Sequence, residues 1–243
     1  MITLDDIQGH WSRDWIKAPG VEDHATRVHW MQCGALYADV RIPLERPDLN
    51  EARTLIGQSP DVLVHLLKAE GFAGDVGLAG TQCTWHRKIN WHGNTEEIDV
   101  GDISFDEQGR MVEKGVHADY TELWSHDAPP AQSAYMFEGE GWLGYLICVG
   151  AKFVLGVGRP NTPTTKPIVD ELASGIISDG AATLFNGLHA VGSWDGASAI
   201  ATLATNPLCE GSCVLTLDHN QFVWRQTRFD GSRHDVRMKA VAP

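Results

Sequence analysis

The chain has 243 residues, of which 43% are hydrophobic and 21% charged. This length and composition are typical of a globular protein with a substantial core, and they exclude wholesale disorder. The formal net charge of −13 repels phosphate backbones and anionic lipids, so we expect neither nucleic acid nor a membrane as a partner.

The cysteines and the first residues bear on the cellular compartment. The number of cysteines is odd and none forms a CxxC pair, so buried free thiols in a reducing compartment explain them best. The opening MITLDDIQGHW lacks the basic and apolar regions of a signal peptide, and no uninterrupted apolar run is long enough to span a membrane. We therefore expect a soluble, cytoplasmic protein. The five cysteines are Cys33, Cys83, Cys148, Cys209 and Cys213.

The first predicted strands are rich in aromatic residues. Gly9, His10 and Trp11 resemble the GxW motif with which lipocalin-like barrels open their first strand. Residues 28–42 have a two-residue period of apolar side chains, which predicts one fifteen-residue strand with a bend at Gly34. A strand of that length is long for an open sheet and favours a barrel.

The remaining chain combines short strands with two helical segments. Residues 48–69 have a helical period broken at Pro60, which predicts one or two short helices over the barrel or its mouth, and a further helix begins at 168–173. From residue 80 onward, alternating segments such as 144–158 are separated by turns rich in Asp, Asn and Gly. About ten strands in meander order predict a mainly β protein, an antiparallel barrel or sandwich, and we assign residues 1–243 to one domain.

Three strand segments carry the residues for a binding or catalytic site. They are LYADVRIP (36–43), TWHRKIN (84–90) and HADYTELW (117–124). If the more polar face of these strands turns into the barrel, their polar side chains converge there. An arginine binds a carboxylate or phosphate through two hydrogen bonds, and a Glu–His pair can transfer a proton near neutral pH. The catalytic candidates are His86 and Glu122, and the ligand-binding candidates are Trp30, Tyr37, Asp39, Arg41, Trp85, Tyr120 and Trp124.

Two other interpretations of these residues stay open. Asp39 and Arg41, and Glu122 with a basic partner, are also what cross-strand ion pairs on an outer face would use. The inward parity of residues 28–42 is undecided as well. If Trp30 and Leu36 face the interior, the pocket is apolar and acid–base chemistry becomes less favoured.

Motifs for metal binding and covalent catalysis are absent from the sequence. Metal-ligating histidines on a strand sit two residues apart, yet no HxH and no HExxH occurs, and His86 and His92 are six apart. There is also no GxSxG elbow, and no GK[ST] follows the glycines at 156–158. We therefore expect no metal and no cofactor.

Five segments resemble the uncharacterised Hri-type proteins of fungi and their bacterial relatives. This resemblance implies a lipocalin-like (calycin-type) β-barrel, in agreement with the strand pattern, and it implies no activity. The nomination of Arg41, His86 and Glu122 therefore depends on side-chain chemistry alone. The segments are WMQCGALYADVRIP (30–43), TWHRKI (84–89), GRMVEKGVHADYTELW (109–124), GWLGYLICVGAKFVLGVGRP (141–160) and ATNPLCEG (204–211).

Three classes of function are compatible with these features. The first is a protein that binds a moderately apolar small molecule, in a barrel with aromatic walls and polar anchors. The alternative is a cofactor-free lyase, isomerase or hydrolase that uses acid–base residues of the same pocket, which requires a carboxyl or imidazole with a strongly displaced pKa. The third is a partner-binding protein whose barrel is filled and whose outer face is apolar. The oligomeric state does not follow from the sequence.

Overall fold

The computed structural model describes residues 2–49, 51–93, 98–127, 132–219 and 221–242, and strands dominate it. The strands of the first half are β1 (Gly9–Ala18), β2 (Val21–Asp23), β3 (Arg27–Cys33), β4 (Leu36–Ile42), β5 (Glu70–Ala79), β6 (Gln82–Asn90), β7 (Asp99–Phe105), β8 (Met111–Gly115) and β9 (Thr121–Asp127). Those of the second half are β10 (Gln132–Gly139), β11 (Trp142–Val149), β12 (Lys152–Gly158), β13 (Leu188–Trp194), β14 (Ser198–Ala204), β15 (Cys213–Asp218), β16 (Gln221–Thr227) and β17 (Arg233–Val241). The helices are α1 (Pro60–Leu66), α2 (Lys166–Ala173) and α3 (Asp179–Phe185), with 3-10 turns at Leu4–Ile7 and Pro207–Cys209.

The strands form two antiparallel barrels of eight strands each. In the first, β1 and β3 to β9 pair in chain order and β9 closes onto β1, while the short β2 pairs with the outer end of β1. In the second, β10 to β17 pair in order and β17 closes onto β10. The prediction of a mainly β, antiparallel barrel protein is confirmed. The prediction of a single barrel of about ten strands is wrong.

Tight turns explain why the strand count was too low. The predicted strand at 28–42 is the hairpin of β3 and β4, which turns at Gly34, and the one at 144–158 is the hairpin of β11 and β12, which turns at Gly150. Both glycines have a left-handed backbone, with φ of 59° and 57°. Such a turn needs only two residues and leaves the alternation of apolar side chains almost uninterrupted, so each hairpin has the pattern of one long strand.

The hairpin of β3 and β4 also determines which residues of the two strands face the barrel interior. Cys33 pairs with Leu36, so Trp30 lies directly opposite Asp39 in the sheet. Residues directly opposite each other in an antiparallel pair project to the same face. The barrel interior therefore takes the even-numbered residues of β3 and the odd-numbered residues of β4.

An apolar layer joins the two barrels. The outward face of β4 packs against the outward faces of β11 and β12, so these strands are buried on both sides. A fully buried aliphatic side chain contributes about 1.5–3 kcal/mol, so this layer supplies a substantial part of the core. Its members include Leu36, Ala38, Val40, Ile42, Tyr145, Ile147 and Val154.

The interiors of the two barrels differ in composition. The second is filled by an apolar cluster that includes Phe137, Phe153, Trp224 and Met238. The first contains a tryptophan-rich cluster and a set of charged side chains. Trp11 of the GxW-like motif packs inside it and donates a hydrogen bond to the carbonyl of Ile7, at 2.9 Å.

The three helices form a separate apolar cluster together with Leu55, Trp91 and Phe229. Helix α1 begins at Pro60 and is capped by Ser59, which accepts a hydrogen bond from the amide of Val62. None of the helices in the described part of the chain has the length and hydropathy needed to cross a bilayer. The assignment of residues 1–243 to one domain stays a prediction.

Candidate functional site

The first barrel contains an open cavity of about 520 Å³. Arginine and carboxylate side chains line it together with Tyr120 and a few apolar residues. A recess of about 20 Å³ shares some of these charged residues and is otherwise walled by aromatic rings. Because one water needs about 10–15 Å³ on this measure, the recess has room for one water or one ligand oxygen. Its aromatic walls are Trp30, Tyr37, Phe72, Trp85 and Trp124.

Eight of the nine sequence-nominated residues line the cavity or the recess. Arg41, Tyr120 and Glu122 line the cavity, and Arg41 extends into the recess. The others line the recess, namely Trp30, Tyr37, Asp39, Trp85 and Trp124.

The ninth residue, His86, lies elsewhere. It follows Trp85 on β6 and projects to the outer face, where its side chain is 49% exposed and its Nδ1 is 2.7 Å from Asp75 Oδ1. Neighbouring residues on a strand project to opposite faces, so Trp85 and His86 cannot both line the interior. The predicted convergence of His86 with Glu122 is therefore corrected.

A chain of ion pairs crosses the wall of the cavity. Glu122 Oε1 is 2.6 Å from Arg13 Nη1 and 3.9 Å from Arg41 Nη1. Arg41 Nε also donates to Asp39 Oδ1 at 3.1 Å. Arg13 and Glu122 are 6% and 2% exposed, so the pair is desolvated and each charge depends on the other. The outer-face ion pairs that the sequence left open are thus interior ones.

Burial and neighbouring charges shift the pKa values of two side chains in this set of ion pairs. Burial raises the pKa of Asp39, and the attraction of Arg41 only partly offsets that. Burial opposes the charge on Arg41, but Asp39, Glu122 and Glu70 together raise its pKa well above the usual value. Arg41 is therefore a permanent cation on the cavity wall.

A second arginine lies against the aromatic floor. The guanidinium carbon of Arg87 is 3.7 Å from the centre of the Phe72 ring, and that of Arg41 is 5.1 Å from it. Arg87 Nη2 also donates to Asp99 Oδ2 at 2.5 Å. These contacts hold two guanidinium groups at the junction of the cavity and its recess, where they can bind an anionic or carbonyl oxygen.

Glu113 and Tyr120 form the most perturbed titratable pair of the site. Tyr120 donates a hydrogen bond to Glu113 Oε1 at 2.8 Å. Burial, followed by repulsion from Glu122 and Asp99, raises the pKa of Glu113 well above its usual value. Burial and the Glu113 carboxyl likewise raise the pKa of Tyr120. Burial and the two neighbouring carboxylates therefore favour the protonated, neutral form of Glu113.

Two glycines make room for this pair. A Cβ on Gly101 would lie 2.7 Å from Glu113 Cγ, and one on Gly115 would lie 2.4 Å from Tyr120 Cε1. Real Cβ atoms essentially never show such distances. Any side chain at either position would therefore displace the Glu113–Tyr120 pair.

Four buried polar atoms around the recess have no hydrogen-bond partner within the described ranges. They are Trp30 Nε1, Tyr37 Oη, Arg87 Nε and Trp124 Nε1. An unpaired buried donor costs about 1–3 kcal/mol. Since all four can donate, an occupant with acceptor atoms would recover part of that free energy.

Sequence reasoning missed several residues of the site. They are Arg13, Phe72, Arg87, Asp99 and Glu113. Strand parity contained a signal for three of them. Arg87 shares a face with Trp85, and Glu113 shares one with the buried Met111. Arg13 shares a face with the buried Trp11, because the bulge in the pairing of β1 with β9 comes after Arg13.

Among the described residues, no group of three or more His, Cys, Asp or Glu side chains is placed to hold a metal ion.

Comparison with known proteins shows the fold. An uncharacterised protein of Saccharomyces cerevisiae, YLR301w, has a solved structure that matches 96% of this chain and 97% of its own, with a TM-score of 0.50 and 9% sequence identity. At that identity the likeness concerns the fold alone. No protein-family profile matches the sequence, and no curated protein matches it significantly.

Proposed function

We propose that the protein binds a moderately apolar small molecule in the first barrel, with an acceptor group of the ligand placed in the recess. The observation that carries this proposal is the set of four unpaired buried polar atoms at the floor of an open cavity. The ligand body occupies the cavity of about 520 Å³, within the range of small-molecule sites. Its acceptor group accepts hydrogen bonds from the indole and guanidinium N–H groups.

The ion pairs between the arginines and carboxylates of the cavity wall favour ligand binding over catalysis. Arg13, Arg41 and Arg87 each have a carboxylate partner within 4 Å. Charged groups that neutralise one another are suited to positioning a ligand, because none of the carboxylates is left as a free base. The wall then sets the orientation of the ligand, and the aromatic recess anchors its acceptor.

Two finer assignments belong to the same proposal. The five segments quoted above support membership of the Hri-type family, and the GxW-like start of β1 supports a lipocalin-like relationship of the first barrel. All five cysteines are free, which supports a cytoplasmic location.

One observation favours an enzyme as the second candidate. Glu113 borders the cavity, its pKa is raised by burial and by Glu122 and Asp99, and Tyr120 is hydrogen-bonded to it. A buried carboxyl with a raised pKa is the usual form of a general acid. An acid–base lyase, isomerase or hydrolase would use Glu113 as the proton donor, with Arg41 and Arg87 binding the oxygen on which charge develops.

The test uses a panel of aromatic and alicyclic acids, amides and alcohols of at most about 20 non-hydrogen atoms. Binding is measured by thermal shift and by tryptophan emission. Ala118→Trp places a bulky ring at an exposed residue that lines the cavity. Ala197→Trp adds the same ring at an exposed turn of the second barrel and is the matched control.

The proposal is supported if at least one compound stabilises the wild type and Ala197→Trp but not Ala118→Trp. It is overturned if no compound changes melting temperature or emission, or if Ala118→Trp binds as well as the control. Recovering a bound compound and analysing it by NMR decides between the two candidates. Chemical conversion that Glu113→Gln abolishes assigns an enzyme, and an unchanged compound assigns a binding protein.

A further inference from the structure

A second cavity, of about 330 Å³, shares no lining residue with the cavity or the recess of the first barrel. It is bounded by the end of β6, the end of β12, the start of β13 and the helices α2 and α3. Apolar side chains form most of its walls, so its chemistry differs from that of the charged first cavity. The walls include Ile89, Trp91, Val157, Ile168 and Leu184.

Two buried polar groups of this cavity lack hydrogen bonds. Within the described residues, neither ring nitrogen of His189 has a partner, and nor does Trp91 Nε1. The two side chains are 1% and 4% exposed, and their rings meet edge to face at 6.4 Å. A backbone group of Asp39 approaches His189 closely enough to favour its protonation, but outside hydrogen-bond geometry. An occupant with a polar atom would satisfy these groups.

The environment of His189 determines its charge. Burial lowers the pKa of His189 to about 3. The ring is therefore neutral at pH 7, with one nitrogen as a donor and the other as an acceptor. The inner end of the cavity thus offers hydrogen bonds without charge.

The outer end of the cavity carries a cation. Arg159 is exposed, and its guanidinium carbon lies 4.5 Å from the centre of the Trp142 ring. No described carboxylate lies within ion-pair distance of it, although the chain has a net charge of −13. A guanidinium stacked on an indole keeps its N–H fork free to bind a carboxylate through two hydrogen bonds.

The strand between these groups gives the distance from one end of the cavity to the other. His189 pairs with Gly156 on β12, and Arg159 follows three residues later along the chain. At about 3.3 Å per residue, the backbone of Gly156, opposite His189, and that of Arg159 lie about 10 Å apart. We propose that this inter-barrel cavity is a second binding site, which takes an apolar monocarboxylate with its carboxylate at Arg159 and a hydroxyl or carbonyl at the His189 end. The site is independent of the function proposed for the first barrel.

Calorimetric titration of the full chain with octanoate, 1-octanol and 8-hydroxyoctanoate tests both ends of the site. Octanoate should bind at least 10-fold more tightly than 1-octanol, and 8-hydroxyoctanoate should bind more tightly than octanoate. The Trp91 indole N–H signal, assigned by its loss in Trp91→Phe, should shift on binding. Equal affinity for octanoate and 1-octanol overturns the role of Arg159, and equal affinity for the two acids overturns that of the inner end.

Four variants test whether octanoate binds in this cavity. Arg159→Gln should weaken octanoate binding at least 10-fold, whereas Arg159→Lys should weaken it less. Arg237→Gln removes the same charge from an exposed position on β17 and should change nothing. Thr183→Trp adds a ring at an exposed residue lining the cavity and should abolish binding.

Ala118→Trp, which blocks the first barrel, separates the two sites. It should leave octanoate binding unchanged. If Ala118→Trp abolishes octanoate binding and Thr183→Trp does not, the acid occupies the first barrel and the second site is refuted. Failure of the compound panel at the first barrel would leave these titrations unaffected.

Discussion

Tyr120 donates a hydrogen bond of 2.8 Å to Glu113 within the first barrel, beside the carboxylates of Glu122 and Asp99. The hydroxyl favours the ionised form of Glu113, but burial and the two like charges outweigh it and raise the pKa of the carboxyl well above 4.5. Folding therefore takes up a proton at this side chain, and the pH dependence of stability reports on the site.

Glu113→Gln should remove a pH dependence from the free energy of unfolding. Between the unfolded pKa near 4.5 and the raised folded value, unfolding releases the Glu113 proton. The wild type therefore loses stability as pH rises, by at most about 1.4 kcal/mol per pH unit. The variant keeps an acceptor for Tyr120 and cannot ionise. Its free energy of unfolding should therefore rise relative to that of the wild type as pH increases above about 4.5, and the two slopes should match below pH 4. Urea titrations at several pH values measure this.

Glu138→Gln is the control for that series, since Glu138 is exposed on β10. It should leave the slope of the wild type unchanged. Equal slopes for the wild type and Glu113→Gln would show that Glu113 is ionised in the folded protein.

Arg13→Met should cost about 3–5 kcal/mol of stability, because it leaves the buried carboxylate of Glu122 with only Arg41 at 3.9 Å. The double variant with Glu122→Met should recover part of the loss, since no uncompensated charge remains. Lys17→Met breaks an exposed pair with Glu22, of 3.0 Å, and should cost at most about 1 kcal/mol. Chemical denaturation gives all three values, and an Arg13 cost as small as that of Lys17 would contradict the desolvated pair.

Tyr37→Phe should stabilise the empty protein by about 1 kcal/mol, because it removes a buried hydroxyl without a partner in the described structure. The same change should weaken the binding of any ligand whose acceptor group reaches the recess. Tyr120→Phe is the contrast, since its hydroxyl bonds Glu113, and it should destabilise by about 1 kcal/mol. Denaturation curves with and without a compound from the panel measure both effects. A loss of stability in Tyr37→Phe would mean that its hydroxyl is already satisfied.

Gly71→Ala should destabilise the contact between the barrels. A Cβ there would lie 2.2 Å from His189 Cγ, so the imidazole or a strand must move, at a cost of about 1–3 kcal/mol or more. Combining it with His189→Ala should recover stability relative to the sum of the single changes. Gly77→Ala, on the same strand, would place its Cβ at 3.4 Å from His86 Cε1 and should be tolerated. Equal changes in melting temperature for Gly71→Ala and Gly77→Ala would contradict the close approach of His189 to Gly71.

Strand pattern and residue chemistry in the sequence were sufficient to predict an antiparallel barrel protein and to nominate nine residues, of which eight line the cavity or its recess. The reason is local, because the two-residue period of a strand follows from the backbone itself. The exception, His86, was nominated beside Trp85 although the two are adjacent on a strand.

Tertiary structure alone decided the number of barrels, the inward face and the partners of the charges. Barrel closure joins β1 to β9 and β17 to β10. In each of these two pairs the partner strands are about a hundred residues apart in the sequence, so no local sequence pattern indicates the pairing. The ion pair of Arg13 with Glu122 and the burial that raises the pKa of Glu113 depend on the same closure. From its own residues, then, the chain determines strands with an aromatic and a charged face. Whether that face becomes a core or a cavity depends on which distant strands complete the barrel, because only closure removes the side chains from water.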